Sequence, residues 1–150
     1  MDTTGQNTPE WKKFYNEGRA YHKTARGSLK RPEVFTPEIV QNIAAMGIEK
    51  YFMSIFMHRG VLPRNHTMED FIGEIQAFFP LPAGLEDSLR YFDSLQQICS
   101  IDNYRVVKPE AGDAPRFVEA IDRVALLAER ELAGDLGMEP ALTDRKPGGL

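Results

Sequence analysis

Cysteine is nearly absent from this chain: Cys99 is the only one in 150 residues. An internal disulfide is thereby excluded, and so is a zinc site built from several thiolates. Long apolar runs are missing too, none approaching the roughly 18 residues of a membrane span. The opening MDTTGQNTPEW holds no basic segment followed by an apolar one, so no secretory leader is read there. These absences predict a cytoplasmic protein that does not engage a membrane. The three histidines, His22, His58 and His66, have neither a spacing of four residues nor a cysteine partner, and no metal or other cofactor is expected. Sustained alternation of apolar and polar residues, the mark of a strand, is also missing.

What is present points to one helical domain. Apolar residues make up 42% and charged residues 27%, a balance that lets a chain of this length bury a core without staples. The net charge of -4 hides an asymmetry. Between Trp11 and Arg31 there are seven Lys or Arg and one acid, net +6, which leaves -10 for the remainder.

Thr8-Pro9-Glu10 has the form of a helix start, with a hydroxyl to cap, proline at the first helical position and an acid in the first turn. From there Trp11, Phe14, Gly18, Tyr21, Ala25 and Leu29 recur at alternating three- and four-residue spacings, which predicts a helix to Ser28. At 100° per residue, Lys12, Arg19, Lys23, Arg26 and Lys30 fall within an arc of about 60° on another face, forming a basic stripe. Thr36-Pro37-Glu38 repeats the start signal for a second helix, apolar on more than one side and therefore central, which Gly60 ends. Met68, Phe71, Ile72, Ile75 and Phe79 predict a third helix, stopped by Pro80 and Pro82. Leu85, Leu89, Phe92, Leu95 and Ile98 or Cys99 predict a fourth, followed by a long loop. Asp113 is expected to cap a fifth, with Pro115 in its first turn and Phe117, Ile121, Val124, Ala125 and Ala128 facing inward. The expected architecture is all-α, a five-helix up-and-down bundle over residues 1–133, with a tail from 134 to 150.

The order of these elements resembles the HEPN domain family, helical bundles associated with nucleotide binding in prokaryotes and higher eukaryotes. Gly18, Tyr21, Ala25 and Leu29 are similar to the family's opening helix. Ile48-Glu49-Lys50-Tyr51-Phe52 resembles its Glu-Lys followed by apolar positions, and Gly60, Pro63 and Asn65-His66-Thr67-Met68 resemble its entry into the third helix. The chain departs from the pattern at Met53, where many members place a second lysine, and at Tyr104-Arg105, where many have Arg-Tyr-Pro. The resemblance implies a bundle of HEPN type that forms a homodimer. It also implies a noncatalytic module binding a nucleotide, RNA or a protein partner such as a nucleotidyltransferase. An alternative is a toxin-like, metal-independent endoribonuclease of a toxin-antitoxin pair, with Arg59 and His66 as its catalytic pair.

The residues themselves keep these alternatives open. Arg59, Arg64 and His58 precede a helix N-terminus, where guanidinium groups and free amides favour phosphate, although Glu69 and Asp70 already answer that helix end. Lys50, His58, Arg59, Arg64, Asn65 and His66 are accordingly the candidate ligand-binding residues. His66 also has a plainer reading, packed in the first turn of the third helix and hydrogen-bonded to a neighbour, with Asn65 or Thr67 as the cap. The stripe of Lys12, Arg19, Lys23, Arg26 and Lys30 either meets nucleic-acid phosphates or is a solvated or protein-facing surface. Tyr51, Phe52, Phe56, Phe71, Phe78, Phe79 and Phe92 exceed what one small bundle needs, which suggests an aromatic contribution to a dimer interface.

Overall fold

A computed structural model describes residues 9–96 and 109–137. It is all-α: α1 spans Glu10–Ser28, α2 Pro37–His58, α3 Met68–Ile75, α4 Leu85–Gln96 and α5 Ala114–Leu136, with a 3-10 turn at Ala111–Asp113 leading into α5. No strand occurs among the described residues. Cys99 and Ile98 lie outside them.

The predicted start of α2 is the observed one. Thr36 has extended backbone and its hydroxyl accepts from the Ile39 N–H at 3.3 Å, with Pro37 just inside the helix. Gly60, at φ 73°, takes the chain out of the helix through a conformation that side chains with a Cβ disfavour. Thr67, not Asn65, caps α3: its hydroxyl accepts from the Asp70 N–H and donates to Asp70 Oδ2, both at 3.1 Å.

Three expectations are corrected. α3 stops at Ile75 rather than Phe79: the Ala77 and Phe78 N–H groups reach only three residues back, to the Glu74 and Ile75 carbonyls, which tightens the chain out of the α-helix, and Phe78 packs on Phe56. Aromatic packing there outweighs a helical period. Asp113 does not cap α5, since its own backbone is already helical. Its carboxylate instead accepts from the Glu110 N–H at 2.8 Å and from the Tyr91 hydroxyl, and both bonds hold its pKa below the ordinary aspartate value. Finally, α5 continues past Gly134 to Leu136, whose side chain packs partly buried against the core.

α2 is the central element. Trp11 meets His58 and Glu17 pairs with Lys50, so α1 and α2 run antiparallel. Gly47 faces Ile121 and His58 pairs with Asp135, so α2 and α5 run parallel. Phe92 packs on Phe117 while Gly84 approaches Arg123, which sets α4 antiparallel to α5. Direction therefore does not alternate strictly along the chain, and the short α3 lies between the antiparallel α2 and α4.

Two glycines let the long helices touch. A methyl on Gly18 would lie 2.9 Å from the Tyr51 ring, and one on Gly47 would lie 2.3 Å from Ile121 Cδ1 and 3.0 Å from Tyr21 Cβ. The aromatic surplus is largely consumed inside: Tyr51, Phe52, Phe56, Phe71 and Phe92 are fully buried, and Phe78 and Phe79 pack partly buried against them. Burial of each such ring contributes about 1.5–3 kcal/mol, so the interior has its own use for them.

Candidate functional site

The loop after α2 gathers its charged residues in sequence but not around one point. His58, in the last turn of α2, donates from Nε2 to Asp135 Oδ2 at 2.5 Å, with Trp11 edge-on to its ring. Arg59 donates to Glu131 Oε1 at 2.8 Å and lies over the Phe78 ring at 4.7 Å. His66 turns back to α2, where its Nδ1 donates to Glu49 Oε2 at 2.9 Å and its ring leans on Phe71. Lys50 pairs with Glu17 at 3.1 Å. Arg64 is exposed, and its backbone N–H donates to Glu74 at 3.0 Å. Asn65 is exposed as well.

Arg59 and His66 thus hold different acids. Their tethering points on α2, Arg59 itself and Glu49, are ten residues apart, roughly 15 Å along the helix axis. A small hollow of about 110 Å³ beside His66 is lined by Ala45, Met46, Glu49, Met68 and Phe71, and Arg59 takes no part in it. Among the described residues the two side chains share no partner, and the hollow beside His66 does not include Arg59.

The second cluster was not assembled by the sequence. His22 of α1 lies between Tyr51 of α2 and Asp122 of α5, with Nδ1 3.2 Å from the Tyr51 hydroxyl and Nε2 2.6 Å from Asp122 Oδ1. A carboxylate only accepts, so Nε2 carries a proton toward Asp122, and Nδ1 lies within hydrogen-bond distance of the Tyr51 hydroxyl. Arg26 Nη1 donates to the same Asp122 oxygen at 2.9 Å. Burial raises the Tyr51 pKa well above its ordinary value, and the neighbouring Tyr15 and Glu129 push it the same way. The phenol is therefore a neutral donor near pH 7 and a poor nucleophile.

A groove of about 310 Å³ opens over this chain of hydrogen bonds, lined by Arg19, His22, Lys23, Arg26, Tyr51 and Glu129. Three members of the basic stripe are brought together here, while Lys12 and Lys30 do not line the groove. Neither Arg19 nor Lys23 makes a side-chain hydrogen bond or ion pair among the described residues. Against the three cations stand Glu129 and Asp122, an excess of one positive charge. Chemically, the groove presents three cationic side chains beside an imidazole that donates to a carboxylate.

The signal for this site was faint but present. On the helical wheel His22 falls between the apolar face and the basic stripe, and Asp122 directly follows the inward Ile121. Each is a polar residue at the edge of a buried face. Pairing them across 100 residues required the fold.

Among the described residues no three His, Cys, Asp or Glu side chains gather as a metal site, and no helix is long and apolar enough to cross a membrane. The chain matches no family model, no curated protein and no solved structure.

Proposed function

We propose that this protein is a noncatalytic HEPN-like helical module that binds a nucleotide or RNA through phosphate, at the α1 groove rather than at the loop after α2. The observation that carries the reading is the state of the cations. Arg19 and Lys23 line one groove together with no carboxylate partner among the described residues, whereas Lys50, His58, Arg59 and His66 each already hold one and Arg64, the unpaired cation of the loop, stands by itself. An exposed ion pair is worth only about 0.2–1 kcal/mol, so one alone decides little. Gathering Lys50, His58, Arg59 and His66 on one ligand means opening four side-chain pairs that point to α1, α2 and α5, a cost of about 1–4 kcal/mol. The groove needs no such rearrangement.

The test is binding of a single-stranded RNA oligonucleotide and of a nucleotide across a salt series. Replacing Arg19, Lys23 and Arg26 by glutamine is expected to weaken both and to flatten the RNA salt slope by about 0.7 per lost phosphate contact. Arg59→Ala and Arg64→Ala are expected to bind like the parent. The opposite pattern moves the site to the loop. Purified protein is expected not to cleave RNA; cleavage that vanishes in His66→Ala, with thermal stability retained, overturns the noncatalytic reading in favour of the ribonuclease.

A protein-facing surface has separate support. Ile39 and Met46, seven residues apart and so on one side of α2, are 41% and 45% exposed, and Leu62 in the following loop is 71% exposed. Apolar exposure of this kind favours a homodimer or a protein partner. Sedimentation as a monomer at high concentration argues against the homodimer.

A further inference from the structure

Arg26 stands between two hollows of different chemistry. On one side is the cationic groove; on the other is a smaller hollow of about 190 Å³, lined by Leu29, Pro115, Val118, Glu119 and Asp122 besides Arg26 itself. The second holds three apolar side chains and two carboxylates and no further cation. Asp122 Oδ1 is already taken by His22 and Arg26. Glu119, about one turn earlier on α5, is exposed and makes no side-chain hydrogen bond or ion pair among the described residues.

An apolar floor with an unengaged acceptor at its edge suits a planar ring that carries N–H donors. A carboxylate offers two acceptor oxygens and no donor. It therefore matches the guanine edge, where a ring N–H and an amino group lie side by side, and mismatches adenine, whose edge alternates donor and acceptor. The guanidinium of Arg26 is the plane on which such a ring stacks best.

The spacing sets the number of phosphates. Six residues separate Lys23 from Leu29, about 9 Å along α1, the scale of an extended nucleoside monophosphate. Arg19 lies about 6 Å further on in the same direction, within reach of a second phosphate. We infer that the α1–α5 groove takes a guanosine diphosphate, with the base on Leu29, Pro115 and Val118, Glu119 reading its edge, and the phosphates at Lys23 and Arg19. The inference rests on the proposal that α1 binds phosphate, and it adds the base, the acceptor that selects it and the phosphate count.

Calorimetric titrations of the full chain with GDP, ADP, GMP and inorganic pyrophosphate test it. GDP is expected to bind at least about tenfold tighter than ADP, the discrimination typical of a bidentate base contact. Glu119→Gln should weaken GDP and bring the two affinities together, with ADP held or strengthened because the amide's acceptor and donor suit the adenine edge, and Arg19→Gln should weaken GDP more than GMP. Glu119 is exposed, so its replacement should leave the melting temperature unaltered, which the same samples show. Equal GDP and ADP affinities in the parent overturn the guanine assignment and leave the phosphate reading standing. If neither pyrophosphate nor any nucleotide binds, the phosphate reading falls and this inference with it.

Discussion

The α1 groove and the loop after α2 are built from the same residue types, histidine beside arginine or lysine, and differ in which acids answer them. Around the loop, Lys50 pairs with Glu17, His66 with Glu49, His58 with Asp135 and Arg59 with Glu131, which also holds Arg130, the acids being drawn from three helices, and among the described residues only the Arg64 side chain of that set has no carboxylate. Around the groove, Asp122 takes His22 and Arg26 together, and Arg19 and Lys23 are left over. A dense run of cations in a sequence therefore says little about a site. What matters is where the fold places the carboxylates, and these came from helices up to 100 residues away.

The sharpest way to break this comparison is the double replacement Arg19→Gln with Lys23→Gln. At about 1.5–3 kcal/mol for each charged hydrogen bond, affinity for a nucleotide should fall by about 3 kcal/mol or more while thermal stability holds, because neither side chain has a hydrogen-bond or ion-pair partner to lose among the described residues. Equal loss of binding in Arg59→Ala would erase the distinction between the two regions.

Next in size is the close packing that shapes the groove. Gly18→Ala sets a methyl against the Tyr51 ring, an overpacking that costs about 1–3 kcal/mol, offset by up to about 1 kcal/mol of helix propensity. Denaturant unfolding should show a net loss, and nucleotide affinity should fall with it as Tyr51 and His22 are displaced. A stabilised variant would mean that α1 does not need its approach to α2.

A smaller effect sharpens the loop side. Arg59→Ala removes the Glu131 pair and the contact over Phe78, together worth about 1 kcal/mol, and a melting curve should register that with no change in ligand binding. The smallest effect at neutral pH is that of Tyr51→Phe. The Tyr51 phenol is held above its ordinary value of 10.0 in the folded protein, so the unfolded chain ionises first and stability falls as pH rises through about 10. Removing the hydroxyl should shallow that alkaline decline by up to about 1.4 kcal/mol per pH unit. An unchanged alkaline limb would show that Tyr51 is not the group responsible.

Helix existence, order and most boundaries were legible in the sequence, since they depend on neighbours three or four residues apart. Thr36 with Pro37 and Thr67 with Asp70 mark starts through bonds made within a single turn. The failures lie where a distant partner competes. α3 ends early because Phe78 finds Phe56, Asp113 leaves its expected capping role for Tyr91 and Glu110, and the aromatic surplus is absorbed by the core. The basic stripe was readable as a stripe, and its convergence on a groove was not.

By itself the sequence determined the fold class and the uneven charge, because helical periodicity and capping are local and charge is a sum over residues. Tertiary structure alone decided which cations are neutralised and which are left facing solvent. That outcome depends on α5 lying against α1 and α2, so that Asp122, Glu131 and Asp135 reach His22, Arg59 and His58. Side-chain hydrogen bonds act over about 3 Å, and no pattern along the chain reports a distance that short between residues so far apart.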